Sequence, residues 1–330
     1  MRSSRIAGLG HFVPERVVTN EDLAELIDTS NDWIVQRTGI EQRHWVDGDV
    51  GPAELALHAS KDALAAAGIL ASDLDMIIFA TLSPDINFPG SSCILQKMLG
   101  VPGVATLDIR NQCTGFVYGM SVADQFIKTG MMDTILVVGG EVHSSGLDMT
   151  TRGRDVTVLF GDGAGAAVLT VANGESRILD SKLHADGTNY DVLMLEVPAS
   201  RLNPRLTPEM MDQGRHYPQM DGRKVFRNAV TELPKVVNEV LEANGYTTDD
   251  IDLLIPHQAN LRINQMAART LGLREDQVFN NIQKYGNTTA ASIPIALHEA
   301  VEAGLIKQGD LVVLAAFGAG LTWGANLIRW

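Results

Sequence analysis

The feature that most constrains the fold of this chain is an internal repeat. Residues 63–78 contain a predicted helix end, a glycine and an apolar strand, and residues 240–255 repeat this pattern. The two helix-ending glycines, Gly68 and Gly245, lie 177 positions apart. Such self-similarity indicates that one supersecondary unit has been duplicated in tandem. We therefore predict two similar halves that pack around a pseudo-twofold axis.

Strands and helices alternate along both halves, which is typical of an α/β fold with mainly parallel sheets. A second pair of helix-ending glycines, Gly130 and Gly304, lies 174 positions apart. At this offset Cys113 falls opposite Asn287, and each residue lies in a polar turn before a predicted helix. Because equivalent turns meet near a pseudo-twofold axis, we expect Cys113 to face Asn287.

Each half also ends with a glycine-rich turn that leads into an apolar strand, at residues 160–165 and 317–324. These endings place the two predicted halves at residues 1–172 and 173–330. The alternative is that unrelated α/β segments share such patterns by chance. Several separate matches in the same order favour duplication.

Composition limits the classes of function. Two cysteines in 330 residues argue against a disulfide framework and fit a reducing cytosol. Residues 1–11 lack the apolar core of a signal peptide, and no apolar run approaches the roughly 18 residues of a membrane-spanning helix. The net charge of −14 argues against nucleic acid as a partner, since phosphate binding needs a concentrated basic surface. We expect a soluble cytoplasmic protein, and the absence of metal-ligand spacing predicts no bound metal.

Cys113 lies between a predicted strand, residues 104–109, and a predicted helix, residues 116–127. A thiol at such a turn faces unpaired backbone N–H groups and the positive end of a helix dipole. We expect these groups to lower the pKa of the thiol and to supply donors for an oxyanion. The alternative for any lone cysteine is a small buried apolar side chain, and Cys93, on a predicted helix with apolar residues at helical spacing, fits that description.

His257 follows an apolar strand at residues 251–256, and the carboxyl ends of such strands are where ligand sites of α/β sheets gather. A structural role is the default for any single histidine. The repeat, however, brings Cys113 and Asn287 to the same end of the sheets. A thiolate, an imidazole and a side-chain amide form a set suited to acyl transfer, so the catalytic interpretation is favoured.

This ordered set closely resembles the β-ketoacyl-acyl-carrier-protein synthase III family of the thiolase superfamily. The resemblance covers nearly the whole chain and includes residues 32–40, 160–165, 256–260 and 317–324. It implies a thiolase-like α/β fold, in which two mixed sheets of a duplicated, five-layered αβαβα structure are related by a pseudo-twofold axis. The internal repeat agrees with that fold.

The resemblance also implies an activity in fatty acid or related synthesis. Cys113 takes an acyl group from an acyl-CoA primer, and the backbone N–H groups of Cys113 and Gly320 hold the oxyanion. His257 and Asn287 then bind the thioester carbonyl of malonyl-acyl-carrier protein during its decarboxylation. The resulting enolate attacks acyl-Cys113, and a β-ketoacyl-carrier protein is released. Both thioesters are substrates, and no separate cofactor is expected.

Residues that bind the two substrates are implied in the same way. Trp33 matches the position that stacks on the adenine of CoA, and Arg37 shares its helix face. Arg154 matches the arginine on the other side of the adenine, with Arg152 as the alternative equivalent. A cationic rim for the acidic carrier protein is implied at three arginines, namely Arg227, Arg262 and Arg269. Phe88 matches a residue that crosses the interface of a homodimer and closes the acyl pocket of the partner.

Two features depart from the family pattern. Larger polar residues, Asn111 and Gln112, precede the nucleophile where small residues are usual. Residues 190–222 form a longer stretch than the family has there, and loops of this length often act as lids. Its Met210 and Met211 could line a long acyl tunnel, although a surface excursion without catalytic role is the alternative. We hypothesise a primer other than acetyl, while its length, its branching and the pathway stay open.

Three further functions are compatible with parts of the sequence. An acyltransferase or thioester hydrolase of the same fold would pass the acyl group of Cys113 to an acceptor other than malonyl. A non-catalytic subunit that only binds a carrier protein would not need the Cys, His and Asn set. A dinucleotide-dependent dehydrogenase has weak support from Gly8 and Gly10, because the third glycine of its fingerprint is missing.

Overall fold

The computed structural model describes residues 2–330, which form thirteen strands and eleven α-helices. The strands are β1 (Ser4–Phe12), β2 (Val17–Thr19), β3 (Gln42–His44), β4 (Met76–Ala80), β5 (Ala105–Ile109), β6 (Thr134–Glu141), β7 (Gly163–Val171), β8 (Arg177–Ala185), β9 (Leu193–Met194), β10 (Gln219–Met220), β11 (Leu253–Pro256), β12 (Leu311–Gly318) and β13 (Thr322–Arg329). The helices are α1 (Asn20–Ala24), α2 (Asn31–Thr38), α3 (Pro52–Ala67), α4 (Ser91–Leu99), α5 (Gly115–Lys128), α6 (Arg154–Thr157), α7 (Pro208–Asp212), α8 (Gly222–Glu242), α9 (Leu261–Leu271), α10 (Ile282–Tyr285) and α11 (Ser292–Glu302).

Two mixed sheets have the same topology. The first has the strand order β1-β7-β6-β4-β5, and the second has the order β8-β13-β12-β11. In the first sheet β6, β4 and β5 run parallel, whereas β7 pairs antiparallel with both β6 and β1. In the second sheet β12 and β11 run parallel, whereas β13 pairs antiparallel with both β12 and β8. The counterpart of β5 is reduced to one parallel bridge between Leu254 and Val278. The predicted duplication into two mixed sheets is confirmed.

The five predicted layers are also confirmed. Side chains of each buried strand alternate between two apolar layers, as Ile77 and Ile78 do on β4. Helices α3 and α4 cover the outer face of the first sheet, and α8 and α9 cover that of the second. Helices α5 and α11 fill the space between the sheets, where Phe116 and Leu297 are fully buried. The middle layer therefore belongs to both halves.

The two central helices explain why the sequence repeat has two offsets. Their first residues, Gly115 and Ser292, are 177 positions apart, whereas the glycines just beyond their ends, Gly130 and Gly304, are 174 positions apart. Helix α5 has 14 residues and α11 has 11. The offset changes within the second helix because that helix is three residues shorter.

The predicted opposition of Cys113 and Asn287 is therefore wrong in register. Each central helix is preceded by a 3-10 turn whose first residue has a positive φ, 44° at Gln112 and 49° at Thr289. These two residues are 177 positions apart, which places Cys113 opposite Ala290. The offset of 174 applies only after the shorter helix. The two turns contact each other, so Asn287 still lies close in the chain to the segment that meets Cys113.

The predicted division between residues 172 and 173 falls between Val171, the last residue of β7, and Arg177, the first of β8. The central core takes side chains from both halves of the chain. The division therefore separates the two repeat units, and its role as a boundary between domains stays a prediction. Among residues 2–330, no helix combines the length and the apolar character needed to cross a membrane.

Candidate active site

Cys113 lies in the 3-10 turn between β5 and α5, and only 7% of it is exposed. The end of β12 packs against this turn so closely that a Cβ atom on Gly318 would lie 2.7 Å from Cys113 Cβ. A hydrogen bond of 2.8 Å joins the hydroxyls of Thr114 and Thr322. Strands from the second half therefore hold the cysteine turn of the first.

The protonation state of Cys113 differs from the prediction. Burial raises the pKa of the thiol to about 12, and the nearby charge of Glu141 acts in the same direction. Backbone N–H groups of Cys113 and Ala319 favour the thiolate, but their effect on the pKa is smaller. The expected lowering is wrong because desolvation in this buried turn outweighs the helix terminus. Cys113 is a thiol at neutral pH.

The same contacts locate the oxyanion donors. The N–H groups beside Cys113 Sγ belong to Cys113 itself and to Ala319, at the turn between β12 and β13. The structure thus places Ala319, rather than the predicted Gly320, next to the sulfur. Gly318 makes this possible, since any side chain at that position would push the turn away from Cys113.

His257 follows β11, and its backbone N–H donates to Ala315 O of β12 at 2.8 Å. Its Nδ1 lies 2.6 Å from Ser292 Oγ, the first residue of α11. Ser292 Oγ accepts from Gln258 N–H and can donate its own proton to Nδ1; in that tautomer the imidazole hydrogen resides on Nε2. Nε2 is buried and has no hydrogen-bond partner within residues 2–330. Burial lowers the pKa of His257 to about 3, which makes it a neutral donor.

Asn287 is held by its backbone to the segment before β7. Its N–H donates to Leu159 O at 2.8 Å, and its carbonyl accepts from Gly161 N–H at 3.1 Å. Its side-chain Oδ1 accepts from Thr289 N–H at 2.8 Å. This contact fixes the amide orientation and leaves Nδ2 as the donor. Like His257 Nε2, it is a neutral N–H group of the kind that stabilises a carbonyl oxygen.

Two buried residues at the end of β6 were missed by the sequence analysis. His143 Nε2 lies 2.7 Å from Thr289 Oγ1, and its ring packs on Phe160 with centroids 4.5 Å apart. Burial lowers the pKa of His143 to about 3 and raises that of Glu141 to about 7. The carboxylate of Glu141 accepts hydrogen bonds from residues 81–83. The sequence did contain a signal for both residues. Like His257, they are polar residues at the end of an apolar strand.

Comparison with known proteins identifies the family of this chain. The family model described as 3-oxoacyl-[acyl-carrier-protein (ACP)] synthase III matches residues 107–187, and the model of its C-terminal part matches residues 241–330. The β-ketoacyl-[acyl-carrier-protein] synthase III of Caldanaerobacter subterraneus subsp. tengcongensis is 46% identical over 98% of this chain and 97% of its own length. The chain belongs to the β-ketoacyl-acyl-carrier-protein synthase III family.

Further relatives agree with this membership. A β-ketoacyl-[acyl-carrier-protein] synthase III of Xanthomonas euvesicatoria pv. vesicatoria is 45% identical over 99% of this chain and 98% of its own length. The crystal structure of 3-oxoacyl-[acyl-carrier-protein] synthase III from Aquifex aeolicus has a TM-score of 0.91 and 42% identity, and covers 99% of this chain and 100% of its own. The thiolase-like fold and the assignment as a condensing acyltransferase, predicted from the resemblance, are confirmed.

The predicted CoA residues of this family member lie together around Trp33. The guanidinium carbon of Arg37 lies 4.3 Å from the centroid of the Trp33 ring, and that of Arg154 lies 4.8 Å from it. Arg152 instead pairs with Asp148 at 2.6 Å. Of the two arginines considered, Arg154 is therefore the one at Trp33.

The three predicted docking arginines, Arg227, Arg262 and Arg269, are exposed on α8 and α9. Within residues 2–330, none of them has a carboxylate oxygen within 4.0 Å, so their charges are available to a partner. Asn260, at the start of α9, donates to the backbone carbonyl of Arg37 at 3.0 Å. This contact places the start of α9 next to the helix of Trp33.

The long stretch at residues 190–222 folds into β9, α7 and β10. Arg152 donates to the backbone carbonyl of Asp212 at 3.1 Å and lies over the Tyr217 ring, which ties the stretch to the loop before α6. Met220 packs into the apolar cluster that includes Trp33. These contacts of the stretch lie at the Trp33 end of the site. Met211 is 46% exposed, and the acyl-tunnel role of Met210 and Met211 stays a prediction.

The raised pKa of Cys113 predicts how its reactivity depends on pH. In a Cys93→Ser variant, which lacks the exposed thiol, we expect the rate of alkylation by iodoacetamide to rise about tenfold per pH unit between roughly pH 7 and 10. The thiolate fraction keeps growing over this range because its pKa lies above it. Mass spectrometry of timed samples measures the rate, with N-acetylcysteine as the control. A plateau near pH 8 for Cys113 would show that burial does not dominate.

Proposed function

We propose that this chain catalyses the decarboxylative condensation of an acyl-CoA primer with malonyl-acyl-carrier protein. One observation supports this proposal above the others. The buried turn of Cys113 contacts the 3-10 turn at Thr289–Ala291, to which the Asn287 side chain is hydrogen-bonded, and it also contacts β12, to which the backbone of His257 is hydrogen-bonded. Both side chains offer a neutral N–H donor, and His257 Nε2 has no partner within residues 2–330. A thiol alone serves acyl transfer, whereas the donor pair adds a site for a second thioester carbonyl.

In the first half-reaction, Cys113 Sγ attacks the thioester carbon of the acyl-CoA. The N–H groups of Cys113 and Ala319 stabilise the negative oxygen of the tetrahedral intermediate. The carbon–sulfur bond to CoA then breaks. Because the pKa of Cys113 is high, its proton leaves as the attack proceeds, and it ends on the sulfur of the departing CoA. The product is acyl-Cys113 and free CoA.

In the second half-reaction, the malonyl thioester carbonyl accepts hydrogen bonds from His257 Nε2 and Asn287 Nδ2. Loss of CO₂ places negative charge on that oxygen, and neutral donors stabilise the charge without being consumed. The enolate carbon attacks the acyl carbon of acyl-Cys113, and the bond to Sγ breaks. Cleavage of this bond frees the β-ketoacyl-carrier protein, and Cys113, which leaves as a thiolate, then recovers a proton from water.

The proposal is tested by intact-protein mass after incubation with a panel of acyl-CoA thioesters, with Cys113→Ala as the control. We expect an acyl adduct on Cys113 that malonyl-carrier protein discharges with release of CO₂. The primer that reacts fastest is expected to be other than acetyl, because Gln112 precedes the nucleophile. Equal turnover of acetyl and longer primers would remove that expectation.

Two variants separate the half-reactions. His257→Ala and Asn287→Ala should still form the acyl adduct, but their decarboxylation should fall roughly 10²- to 10³-fold, as for other lost oxyanion donors. An adduct that malonyl-carrier protein leaves untouched, but that water or another acceptor removes, would favour the acyltransferase or hydrolase. No feature of the site requires that alternative, because an acyltransferase or a hydrolase would make no use of the donor pair.

We propose that Trp33, Arg37 and Arg154 bind the adenine end of CoA. The planar groups of both arginines already lie within 5 Å of the Trp33 ring, which suits stacking on a purine.

We also propose that Arg227, Arg262 and Arg269 dock the acidic carrier protein. The chain as a whole has a net charge of −14, so a partner of the same sign needs a local cationic surface.

A charge-reversal variant tests the docking surface. For Arg262→Glu/Arg269→Glu we expect KM for malonyl-carrier protein to rise roughly tenfold at low salt, and less at high salt because of screening. The rate of Cys113 acylation by acyl-CoA should be unchanged. Arg177→Glu, at an exposed arginine on β8, is the matched control. The same KM increase in the control would contradict a local docking site.

We propose that the protein is a homodimer formed at the edge of the first sheet. Strand β5 ends that sheet without a neighbour among residues 2–330, and the loop between β4 and α4 leaves Phe88 84% and Ile86 50% exposed. Gly90, beside this loop, packs directly on Asp108 of β5. An open edge strand next to exposed apolar side chains is a surface that proteins normally cover.

Sedimentation velocity at micromolar concentration tests the dimer. We expect a single species of twice the chain mass for the wild type, and dissociation for Phe88→Asp. Leu305→Asp is the control, because Leu305 is 51% exposed but lies in the second half of the chain. A wild-type monomer, or dissociation of both variants alike, would argue against this interface.

We propose a cytoplasmic location, which the two unpaired cysteines support. Cys93 is exposed and Cys113 has to stay a thiol, and both conditions are met in a reducing compartment. Recovery of the protein in a membrane or secreted fraction would contradict this location.

A further inference from the structure

A cluster of two histidines and a glutamate lies on elements outside the active site. His11 is on β1, whereas His298 and Glu302 lie one turn apart on α11. The Nδ1 atoms of the two imidazoles are 2.6 Å apart, and His298 Nε2 lies 3.9 Å from a carboxylate oxygen of Glu302. One ligand atom from each residue lies within 4.8 Å of the other two.

We propose that His11, His298 and Glu302 form a binding site for a divalent transition-metal ion, with Zn²⁺ as the favoured occupant. Two imidazoles and one carboxylate are a ligand set that zinc uses in proteins, and the fourth position of a tetrahedron is left to water. The proposal is independent of the condensation reaction. It replaces the prediction of no metal, which considered only spacing along the chain.

The imidazole geometry supports a shared cation. Two neutral imidazole nitrogens 2.6 Å apart share a hydrogen bond, in which one nitrogen carries the proton and the other offers its lone pair, so both nitrogens face the space between them. In tetrahedral zinc with Zn–N bonds of about 2.0–2.1 Å, two ligand nitrogens lie roughly 3.3 Å apart. A change of less than about 1 Å, achieved by rotation of the side chains, converts the hydrogen-bonded pair into two metal ligands.

The charge and the exposure of the side chains around the two imidazoles also suit a bound metal ion. The carboxylates of Glu299, Glu302 and Asp62 lie near His11, and their negative charge favours a bound cation. The Glu302 side chain is 63% exposed and free to rotate towards the imidazoles, which are themselves only partly exposed.

The neighbouring carboxylate, that of Glu299, is already engaged in hydrogen bonds. Glu299 accepts hydrogen bonds from Tyr285 at 2.7 Å and from Asn281 at 2.8 Å, so it is a fixed neighbour rather than a ligand.

The two histidines lie on segments separated by 287 positions, and the proposed ion would join β1 of the first half to α11 of the second. His298 lies six residues after Ser292, or roughly 9 Å along the helix. The site is therefore distinct from the pair formed by Ser292 and His257.

Calorimetric titration of the chelator-treated, full-length protein with ZnCl₂ tests the proposal. A Cys93→Ser background removes the exposed thiol as a competing ligand. We expect one Zn²⁺ per chain, at least a roughly tenfold loss of affinity in His11→Ala and in His298→Ala, and a smaller loss in Glu302→Gln. Co²⁺ in place of Zn²⁺ should give the intense visible absorption of a tetrahedral ion.

The matched control is His184→Ala, which removes a histidine that pairs with one carboxylate among residues 2–330, that of Glu239 at 2.5 Å. It should bind Zn²⁺ like the parent. Absence of binding at tens of micromolar Zn²⁺, or equal affinity in the parent and His298→Ala, would show that the imidazoles are only a hydrogen-bonded pair. If His11→Ala does not fold, His298→Gln and Glu302→Gln decide the question. Condensing activity of Glu302→Gln should match the parent, which separates this site from the proposed function.

Discussion

The close approach of two backbone turns at the centre of the molecule is the constraint on which the rest of the structure depends. The turn before α5 and the turn before α11 meet between the sheets, and both begin with a residue of positive φ, Gln112 and Thr289. A Cβ atom on Gly139 would lie 2.2 Å from the carbonyl oxygen of Ala290. Only glycine at position 139 permits this contact between β6 and the turn before α11, which in turn contacts the cysteine turn.

Burial then determines the protonation states of the site. Desolvation keeps Cys113 as a thiol and both His143 and His257 as neutral imidazoles, because each charged form would lose its hydration. A neutral histidine that donates from Nε2 suits a reaction in which charge develops on a substrate oxygen. Glu141, with a pKa raised to about 7, is the group of this site whose charge changes near neutral pH. Hydrogen bonds to backbone and hydroxyl groups hold these side chains in place.

Much of this arrangement was predictable from local sequence pattern. The helix-ending glycines and strand lengths revealed two repeats, and strand ends identified Cys113 and His257. Errors arose where a pattern had to be extended across the fold. The shorter α11 moved the counterpart of Cys113 from Asn287 to Ala290, and the turn after β12 placed Ala319 beside the sulfur. Neither shift leaves a periodic signal, since each depends on how a few residues fit between packed elements.

The sequence by itself determined the order of the elements, the duplication and the residue types at the strand ends, because backbone preference and apolar periodicity are local properties. Only the tertiary structure decided the pKa of Cys113, the choice of Arg154 over Arg152 at Trp33, and the meeting of His11 with His298. These properties arise from burial and from contacts between distant segments. They exist only when both halves have packed on one shared core, which no stretch of sequence represents on its own.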